Sequence, residues 1–402
     1  MRTGKLGECS KFYNGLTSVS KSDFGVGKDL YIDYLNVFNN TFSQFSELKK
    51  FKNSSRQNYV QFKDVILTIS SETPDEVAMS SVINWKNDYK NVAFNSFCIL
   101  VRFNQLEKYD VNYIGYFFRS NSFRTQAMLM AQGISRFNIN QTALKKTLFL
   151  FPPNIYEQQK IGNVLYYLDS LITLHQRKLL SLKNLKSRLL DRMFCDEKSQ
   201  FPSIRFKEFT NAWEQGKLGN LIDKGGSGGT PNTSNAKFYN GSIPFLTIAD
   251  LTKADGHIYS TEKHITNEGL NSSSAWIVPK GSLTLSIYAT IGKIGIMHQN
   301  MATSQAFYSM VINDDITKKY LYYHLKKSDV FGEWTKLIST GTQANLNSEK
   351  VKSFGIFIPK NKSEQSKISS LFTHLDSLIT LHQRKLNSLK NIKNTLLDKM
   401  FV

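Results

Sequence analysis

Few residues of this chain stand in patterns that could do chemistry. Pro74, Asp75, Asp88 and Lys90 lie at a spacing that a metal-dependent nuclease could use, with the carboxylates holding Mg²⁺ and the lysine assisting the attacking water. Short acidic patterns of this kind are common by chance, and the second half of the chain has no counterpart at the matching place. A self-contained metal-dependent endonuclease therefore stays open as an alternative function.

Other catalytic and cofactor patterns are missing from the sequence. There is no GxxxxGK[ST] motif for ATP, and the glycine cluster at 225–231 lacks the GxGxxG spacing of a dinucleotide site. The FPPN stretch at 151–154 has Phe where an adenine methyltransferase has Asp or Asn, so we expect the end of a strand there. The seven histidines form no HExxH motif, and the three widely spaced cysteines argue against disulfides and structural zinc. A binding protein without a metal or cofactor of its own is the favoured class.

Composition indicates what such a protein binds. The chain has 402 residues, 41% of them hydrophobic and 21% charged, which is typical of a folded protein of several domains. Lys and Arg number 51 against 32 Asp and Glu, and the resulting charge of +19 favours a polyanionic partner such as nucleic acid. No apolar run approaches the roughly 18 residues of a membrane span, and the N-terminus has no signal peptide, so we expect a soluble cytoplasmic protein.

An internal repeat is the strongest signal in the sequence. Residues 168–194 and 375–401 match at 22 of 27 positions with a constant offset of 207. The chain therefore reads as a duplication, in which each half has a variable segment followed by a nearly invariant one. The predicted domains are a variable domain at 1–151, a helical segment at 152–198, a variable domain with its leading connection at 199–358, and a helical segment at 359–402.

The nearly invariant segments predict two long helices. Asn154 and Asn361 precede Glu157 and Glu364 at the spacing of an N-cap and its third helical residue. Apolar residues recur every seven positions and form a wide stripe, so we expect the helices to pair as an antiparallel coiled coil. The residues predicted at this interface are Leu168, Leu171, Ile172, His175, Leu182, Leu375, Leu378, Ile379, His382 and Leu389.

One heptad position is polar in both helices, because His175 and His382 stand where leucine is expected. Two imidazoles could meet at the middle of an antiparallel pair and act in catalysis or metal binding. The alternative is that one polar core position fixes the register of the helices at some cost in stability.

The variable segments predict mixed α/β domains. Short apolar runs bounded by turn residues indicate strands; they lie at 65–70, 95–103 and 147–152 in the first half and at 242–248, 282–289, 305–312 and 354–359 in the second. Residues 113–133 predict a helix pair or one broken helix, and 320–339 occupy the matching helical place. The predicted fold class is α+β, with two mixed α/β domains alternating with two long helices.

A duplicated, basic chain with a rigid spacer would suit a nucleic acid that carries two half-sites. The layout resembles the DNA-specificity subunit of type I restriction-modification systems. The residues that carry the resemblance in the second half are SGGTPNTSNAKFYNGSIPFLTIADL (227–251), ATIGKIGI (289–296) and TGTQANLN (340–347), and in the first half QGISRFNIN (132–140). Both halves share the LDSLITLHQRKL helix core. The stretch at 201–216 has almost no equivalent before Lys5, which is a departure from the family pattern.

The resemblance implies a non-catalytic subunit with two target-recognition domains related by a pseudo-twofold. Two modification (methyltransferase) subunits would dock on the helices and bring S-adenosylmethionine, and restriction subunits would add ATP- and Mg²⁺-dependent translocation and cleavage. Double-stranded DNA is the expected ligand, and no membrane is involved. A coiled-coil scaffold without sequence preference stays open as a further alternative.

Loop residues with Lys, Arg, Asn, Gln, Ser or Thr side chains are the candidates for DNA contact, because these groups bind base edges and phosphates. In the first half they are Ser70, Ser71, Thr73, Ser135, Arg136 and Asn138. In the second half the resemblance points to Thr230, Lys237, Tyr288, Thr290, Lys293, Gln305, Gln343 and Asn345. A turn or capping role is the alternative for each of them, above all for Asn138 and Asn345, which both halves share.

Overall fold

The computed structural model describes residues 1–86, 91–196, 199–338 and 346–401. The chain forms two compact units. The first comprises Met1–Arg177 with His382–Val402, and the second comprises Lys178–Leu381. Each of the two long helices contributes residues to both units.

The first unit is built from short strands and helices that precede a long helix. Its elements in chain order are β1 Arg2–Lys5, α1 Leu6–Cys9, β2 Ser10–Asn14, β3 Phe24–Ile32, α2 Tyr34–Asn39, β4 Lys49–Phe51, β5 Val65–Thr68, β6 Ser70–Ser71, β7 Ser80–Val82, β8 Val92–Phe94, β9 Cys98–Phe103, α3 Val111–Phe117, α4 Asn121–Met130, β10 Phe137–Asn138, α5 Gln141–Lys146, β11 Leu148–Phe151 and α6 Ile155–Arg192.

An antiparallel sheet lies at the centre of this unit, with the strand order β2-β9-β5-β7 among the described residues. All four residues of β5 are buried, which explains why its sequence VILT is a continuous apolar run rather than an alternating one. Phe103, Phe117, Phe118 and Phe149 pack on one another beside the sheet, with ring centroids 4.7–6.4 Å apart. A second sheet has the order β4-β3-β8.

The second unit is also built from short strands and helices. Its elements are β12 Glu214–Lys217, β13 Lys224–Ser227, β14 Tyr239–Leu246, α7 Ile248–Lys253, β15 His257–Ile258, β16 Lys263–Ile265, α8 Asn267–Asn271, β17 Leu283–Ser286, β18 Ile294–Met297, β19 Ala302–Thr303, β20 Phe307–Val311, α9 Asp315–Val330, α10 Ser348–Ser353, β21 Gly355–Ile358 and α11 Lys362–Met400. Its main sheet has the order β13-β20-β17-β18-β15, and a smaller one has the order β16-β14-β19.

The predicted strands are confirmed in both variable segments, with ends that differ by one to three residues. Residues 113–133, predicted as a helix pair or one broken helix, fall in two separate helices, α3 and α4. Ser120 stands at the N-cap of α4. The counterpart of this region is the single helix α9, which is followed by a 3₁₀ turn at Glu333–Leu337.

Both long helices begin where the sequence predicts. The Asn154 Oδ1 atom accepts a hydrogen bond from the Tyr156 N–H at 2.9 Å, and Asn361 Oδ1 accepts one from the Ser363 N–H at 2.9 Å. Each cap satisfies a backbone donor that the helix itself cannot pair. The side chain of Gln365 then donates to the carbonyl of Pro359 at 2.7 Å, as that of Gln158 does to Pro152 at 2.8 Å, and fixes the entry of the chain into the helix.

The two long helices pack together within each unit. In the first unit Lys393 donates to Asp169 at 2.6 Å and His382 meets His175, so residue numbers rise along α6 while they fall along α11. In the second unit Lys186 pairs with Asp376. Each carboxylate also accepts a hydrogen bond from a tyrosine hydroxyl: Tyr116 donates to Asp169 at 2.8 Å, and Tyr323 donates to Asp376 at 3.0 Å.

The residues predicted at the helix interface differ in burial. Ile172, Leu182 and Leu375 are buried, and Leu171 is 43% exposed. The others are half-buried, namely Leu168, His175, Leu378, Ile379, His382 and Leu389. Further leucines on α6 point to solvent, so the apolar stripe is wider than the contact between the helices covers. In the described part of the chain, no helix has the length and apolarity needed to cross a bilayer.

The segment before the second variable domain is anchored to the start of α11. Arg205 makes a two-pronged ion pair with Glu364, at 2.7 and 2.9 Å, and the Trp213 indole N–H donates to the same carboxylate at 3.2 Å. Trp213 is buried. Arg205 and Trp213 therefore fasten this connection to α11.

Candidate nucleic-acid interface

The candidate residues of the first half meet at a hairpin that follows α4. Gln132 and Asn138 exchange two backbone hydrogen bonds of 2.9 and 2.8 Å, and β10 pairs with β6 so that Asn138 lies opposite Ser70. The Arg136 Nε–H donates to the Ser70 hydroxyl at 3.0 Å. Ser135, Arg136 and Asn138 are exposed. The structure thus brings together five of the six residues predicted here, all except Thr73.

Ser70 and Ser71 hold this hairpin rather than project from it. Both are buried, and the Ser71 hydroxyl donates to Glu76 at 2.9 Å. The Tyr34 hydroxyl donates to the Ser70 carbonyl at 2.8 Å. Thr73 is exposed and precedes the 3₁₀ turn at Pro74–Glu76. Two of the predicted hydroxyls therefore position neighbouring groups, which leaves Thr73 and Ser135 as the accessible ones.

A cleft opens at the sheet end beside this hairpin. Its lining includes Asn14 from the end of β2, Ile69 after β5, and Asn138 from the hairpin. Asn140 also lines it and caps α5 by accepting the Ala143 N–H at 2.9 Å. Gln141 donates to Asn14 at 2.8 Å across the cleft wall. The wall therefore combines these polar side chains with the apolar side chains of Ile69, Ile99 and Ile139.

The second unit has a cleft of the same construction. It is lined by Ser227 at the end of β13, by Tyr288 after β17, by Gln305, and by Asn347. Asn347 caps α10 by accepting the Lys350 N–H at 2.8 Å, as Asn140 caps α5. Here the structure brings together Tyr288 and Gln305, two of the residues to which the resemblance points.

A tight turn presents Tyr288 and Thr290. The Ser286 hydroxyl donates to the Thr290 carbonyl at 2.6 Å and accepts the Lys293 N–H at 3.0 Å. Thr290 has a left-handed backbone with φ of 50°, which a non-glycine residue adopts only under constraint. Gly292, with φ of 96°, packs against the Trp334 ring, where a Cβ atom would come within 2.5 Å of the indole. This turn therefore fixes Tyr288 and Thr290 at the surface.

The remaining second-half candidates occupy different places. The Gln305 N–H donates to the Thr230 hydroxyl at 3.4 Å, so these two residues are neighbours. Lys237 is exposed on a 3₁₀ turn at Ala236–Phe238, and Lys293 is half-buried. Gln343 and Asn345 lie outside the described residues.

Equivalent strand ends in the two units also pair residues that the constant offset of 207 does not align. The Ile69 N–H donates to the Phe97 carbonyl at 3.0 Å, and the Ile287 N–H donates to the Ala306 carbonyl at 2.8 Å. Ser70 therefore corresponds to Tyr288, and Ser96, which precedes Phe97, corresponds to Gln305. Phe97 is 57% exposed at this sheet end and was missed as a candidate. An aromatic residue beside Asn95 in a turn was the signal available in the sequence.

The residues of the nuclease alternative are only partly described. Asp75 is exposed in the turn at Pro74–Glu76, and its backbone carbonyl accepts a hydrogen bond from Arg124. Asp88 and Lys90 lie outside the described residues. Within the described ranges, no group of three or more His, Cys, Asp or Glu side chains could hold a metal ion.

Fold and clefts together define a class: a basic protein with two similar α/β modules, each presenting a cleft lined in part by polar side chains, and two long helices that pack together. The family model for the type I restriction modification DNA specificity domain matches residues 1–184 and 211–391. The chain belongs to this family.

Relatives of known function match part of the chain. The specificity subunit of the type I restriction enzyme MjaIX from Methanocaldococcus jannaschii is 29% identical over 207 residues, which cover 51% of this chain and 47% of that protein. The HindI specificity subunit from Haemophilus influenzae is 29% identical over 159 residues, covering 39% of this chain and 34% of that protein. The chain thus spans less than half the length of the curated relatives it matches.

Two solved structures share the fold over the whole chain. The S subunit of a type I restriction-modification system from M. genitalium has a TM-score of 0.59 at 15% identity, covering 100% of this chain and 96% of that one. The HsdS subunit from Thermoanaerobacter tengcongensis has a TM-score of 0.51 at 17% identity with the same coverage. At this identity the likeness concerns the fold.

Proposed function

We propose that this chain is the DNA-specificity subunit of a type I restriction-modification complex and reads a bipartite site in double-stranded DNA. Residues 1–151 form one target-recognition domain and residues 199–358 the other, each reading one half-site. The helical segments at 152–198 and 359–402 are the spacer. The chain carries no catalytic site of its own, and it acts in the cytoplasm.

One observation carries this proposal: the same cleft is built twice and lined by different side chains. Asn140 and Asn347 take the same capping role, so these positions are structural. Around them Asn14 and Gln132 line the first cleft, whereas Ser227, Tyr288 and Gln305 line the second. Two different half-sites require clefts that share a backbone framework but differ in the side chains that line them. Base edges are distinguished by their donor, acceptor and methyl patterns, so different sequences need different side chains.

The charge supports a DNA ligand. An excess of 19 positive charges favours phosphate contacts, which supply much of the affinity and fix orientation without reading sequence. Arg136 and Lys237 are exposed and Lys293 is half-exposed at the candidate sites, where they would bind phosphates or guanine. Ser135, Thr73, Thr230, Thr290, Gln343 and Asn345 complete the proposed DNA-contacting set.

The long helices would serve two interfaces. We infer that they form an antiparallel coiled coil, which the opposed pairs Asp169–Lys393 and Lys186–Asp376 support. Leu174 and Leu180 are each 61% exposed on α6 and would dock modification subunits. Those subunits would bind S-adenosylmethionine, and restriction subunits would supply ATP- and Mg²⁺-dependent steps.

Selection from a random duplex library tests the proposal. The full-length chain, purified alone and with its modification subunit, should enrich one bipartite sequence near physiological salt, with at least about 10³-fold preference over unrelated DNA. Gln305→Ala should relax the base preference in one half of the enriched sequence. Arg136→Ala should either relax the base preference in the other half or lower the affinity without changing the preference. Binding that is sensitive to salt but blind to sequence would instead indicate a scaffold.

A further inference from the structure

The hairpin at Gln132–Asn138 carries an apolar side chain at its tip that nothing in the first unit covers. Ile134 is 98% exposed, the highest value among the large apolar side chains of the described residues. Single exposed apolar residues are common on protein surfaces, so exposure alone proves little. The position of Ile134 is what distinguishes it, because the exposed residues Ser135 and Arg136 follow it directly and Gly133 precedes it.

The tip is held rigidly. Two backbone hydrogen bonds between Gln132 and Asn138 close the hairpin, and the Arg136 guanidinium ties it to Ser70. Gly133 has φ of 140°, and a Cβ atom there would come within 2.0 Å of the Arg136 carbonyl, so only glycine fits this close crossing. Isoleucine is β-branched, which restricts its own χ1 rotation. A stiff apolar side chain on a closed hairpin loses little entropy when it inserts into a partner.

The setting of the hairpin indicates which partner that is. Asn138 at its base lines the cleft that we assign to the first half-site, so the hairpin stands at the rim of that cleft. Arg136 places a positive charge two residues from Ile134, which suits a phosphate backbone beside the inserted group. Proteins that insert Ile, Leu, Phe or Met between base pairs unstack one step and kink the duplex, and they flank the wedge with cationic or polar side chains.

We propose that Ile134 is a wedge that inserts between two stacked base pairs of the first half-site. This inference rests on the proposed DNA-specificity function and adds how that half-site is held. The wedge unstacks one base step, so the half-site is read partly through the ease with which that step deforms. Arg136 holds the adjoining phosphate while Ser70 keeps the guanidinium in place.

Fluorescence of 2-aminopurine tests the wedge directly. The duplex enriched by the full-length chain is synthesised with 2-aminopurine replacing each adenine of the first half-site in turn, and each is titrated with protein. Wild-type protein should raise the fluorescence at one step, since unstacking relieves quenching. Ile134→Ser should abolish this rise and weaken binding about tenfold, while Ile134→Leu should retain both.

Val26→Ser is the matched control. Val26 is also β-branched, 50% exposed and next to a glycine, but it lies on β3. The Val26→Ser variant should show the same 2-aminopurine fluorescence rise and the same affinity for the duplex as the wild type. If wild-type protein selects a sequence but no step brightens, or if Ile134→Ser binds normally, the wedge is wrong while the specificity function stands. Affinity that depends on a thymine methyl group without unstacking would indicate a groove contact and also overturn the wedge. A library that yields no preferred sequence would overturn both.

Discussion

The imidazole rings of His175 and His382 face each other across α6 and α11, with their Nδ1 atoms 2.8 Å apart. One ring must therefore donate and the other accept a hydrogen bond. The two residues are 207 positions apart and are each other's counterparts in the repeated sequence, so the same position of the repeat supplies both partners. The two imidazoles thus meet, as the sequence allowed, and their role in fixing the register stays a prediction.

Replacing both histidines should stabilise the pair of helices. His175→Leu with His382→Leu restores an apolar core position, and the free energy of unfolding should rise by about 1 kcal/mol. Each single variant removes the hydrogen bond between the two rings without putting an apolar pair in its place, and should be less stable than the double variant and the wild type. Urea unfolding of the four proteins completes the cycle. If the changes in unfolding free energy of the two single variants sum to that of the double variant within about 0.5 kcal/mol, the two rings are not coupled.

Glu364 and Glu157 offer a comparison inside one chain. They occupy the same position in the repeat, but Glu364 is buried against Arg205 and Trp213 whereas Glu157 is exposed. Glu364→Ala leaves Arg205 without its carboxylate and should lower the free energy of unfolding by about 3 kcal/mol. Glu157→Ala should change it by less than about 0.5 kcal/mol. Equal effects in urea unfolding would mean that the connection at 201–216 is not anchored as described.

The buried His324 should make the protein less stable in mild acid. Burial, and secondarily the nearby Lys327, lower the pKa of His324 to about 4 from an ordinary 6.5. The unfolded chain therefore binds a proton as the pH falls below 6.5, while the folded chain does so only near pH 4. The stability lost across this window is up to about 3 kcal/mol.

The first unit supplies the variant that tests this pH dependence. Phe117 holds the position of His324 and packs on Phe401 as His324 packs on Phe194. His324→Phe should therefore fold and should lose most of the decline in stability between pH 6.5 and 4. His264→Phe, a change at a half-buried histidine on β16, should keep the decline. The free energy of unfolding is measured by urea unfolding at each pH. If it falls equally steeply between pH 6.5 and 4 for the wild type and for His324→Phe, this histidine is excluded as the cause.

Exposed leucines of α6 should matter for assembly rather than for folding. Leu174→Glu and Leu180→Glu alter side chains that are 61% exposed, and they should leave the thermal midpoint within about 1 °C of wild type. Both should reduce co-purification with the modification subunit. Leu182→Glu, at a residue 7% exposed, should lower stability by more than about 3 kcal/mol. Undiminished assembly of the two surface variants would place the docking site elsewhere.

The sequence predicts the long helices well because their signals are local. Asn154 and Asn361 cap them as expected, and seven-residue periodicity depends only on neighbours along the helix. Glu364 is different: its place after the cap predicts a helix start, but its ion pair with Arg205 joins residues 159 positions apart. Such long-range pairing leaves no trace in local spacing.

The candidate clefts could be predicted only in outline. The repeat aligns Asn140 with Asn347 and so locates the framework in both halves. It does not align Ser70 with Tyr288, because the segments between these residues and the shared asparagines differ in length. The burial of Ser70 and the exposure of Phe97 depend on how strands β5 and β9 end together, which a list of polar residues does not reveal.

Genome-wide mapping of N6-methyladenine tests the central claim most directly. The full-length chain is co-expressed with the modification subunit proposed as its partner in a host without adenine methylation, and the genome is sequenced by a single-molecule method. We expect methylation at one bipartite motif, with two specific segments separated by a fixed unread gap. A single uninterrupted motif, or no new methylation although the two proteins form a soluble complex, would contradict the account.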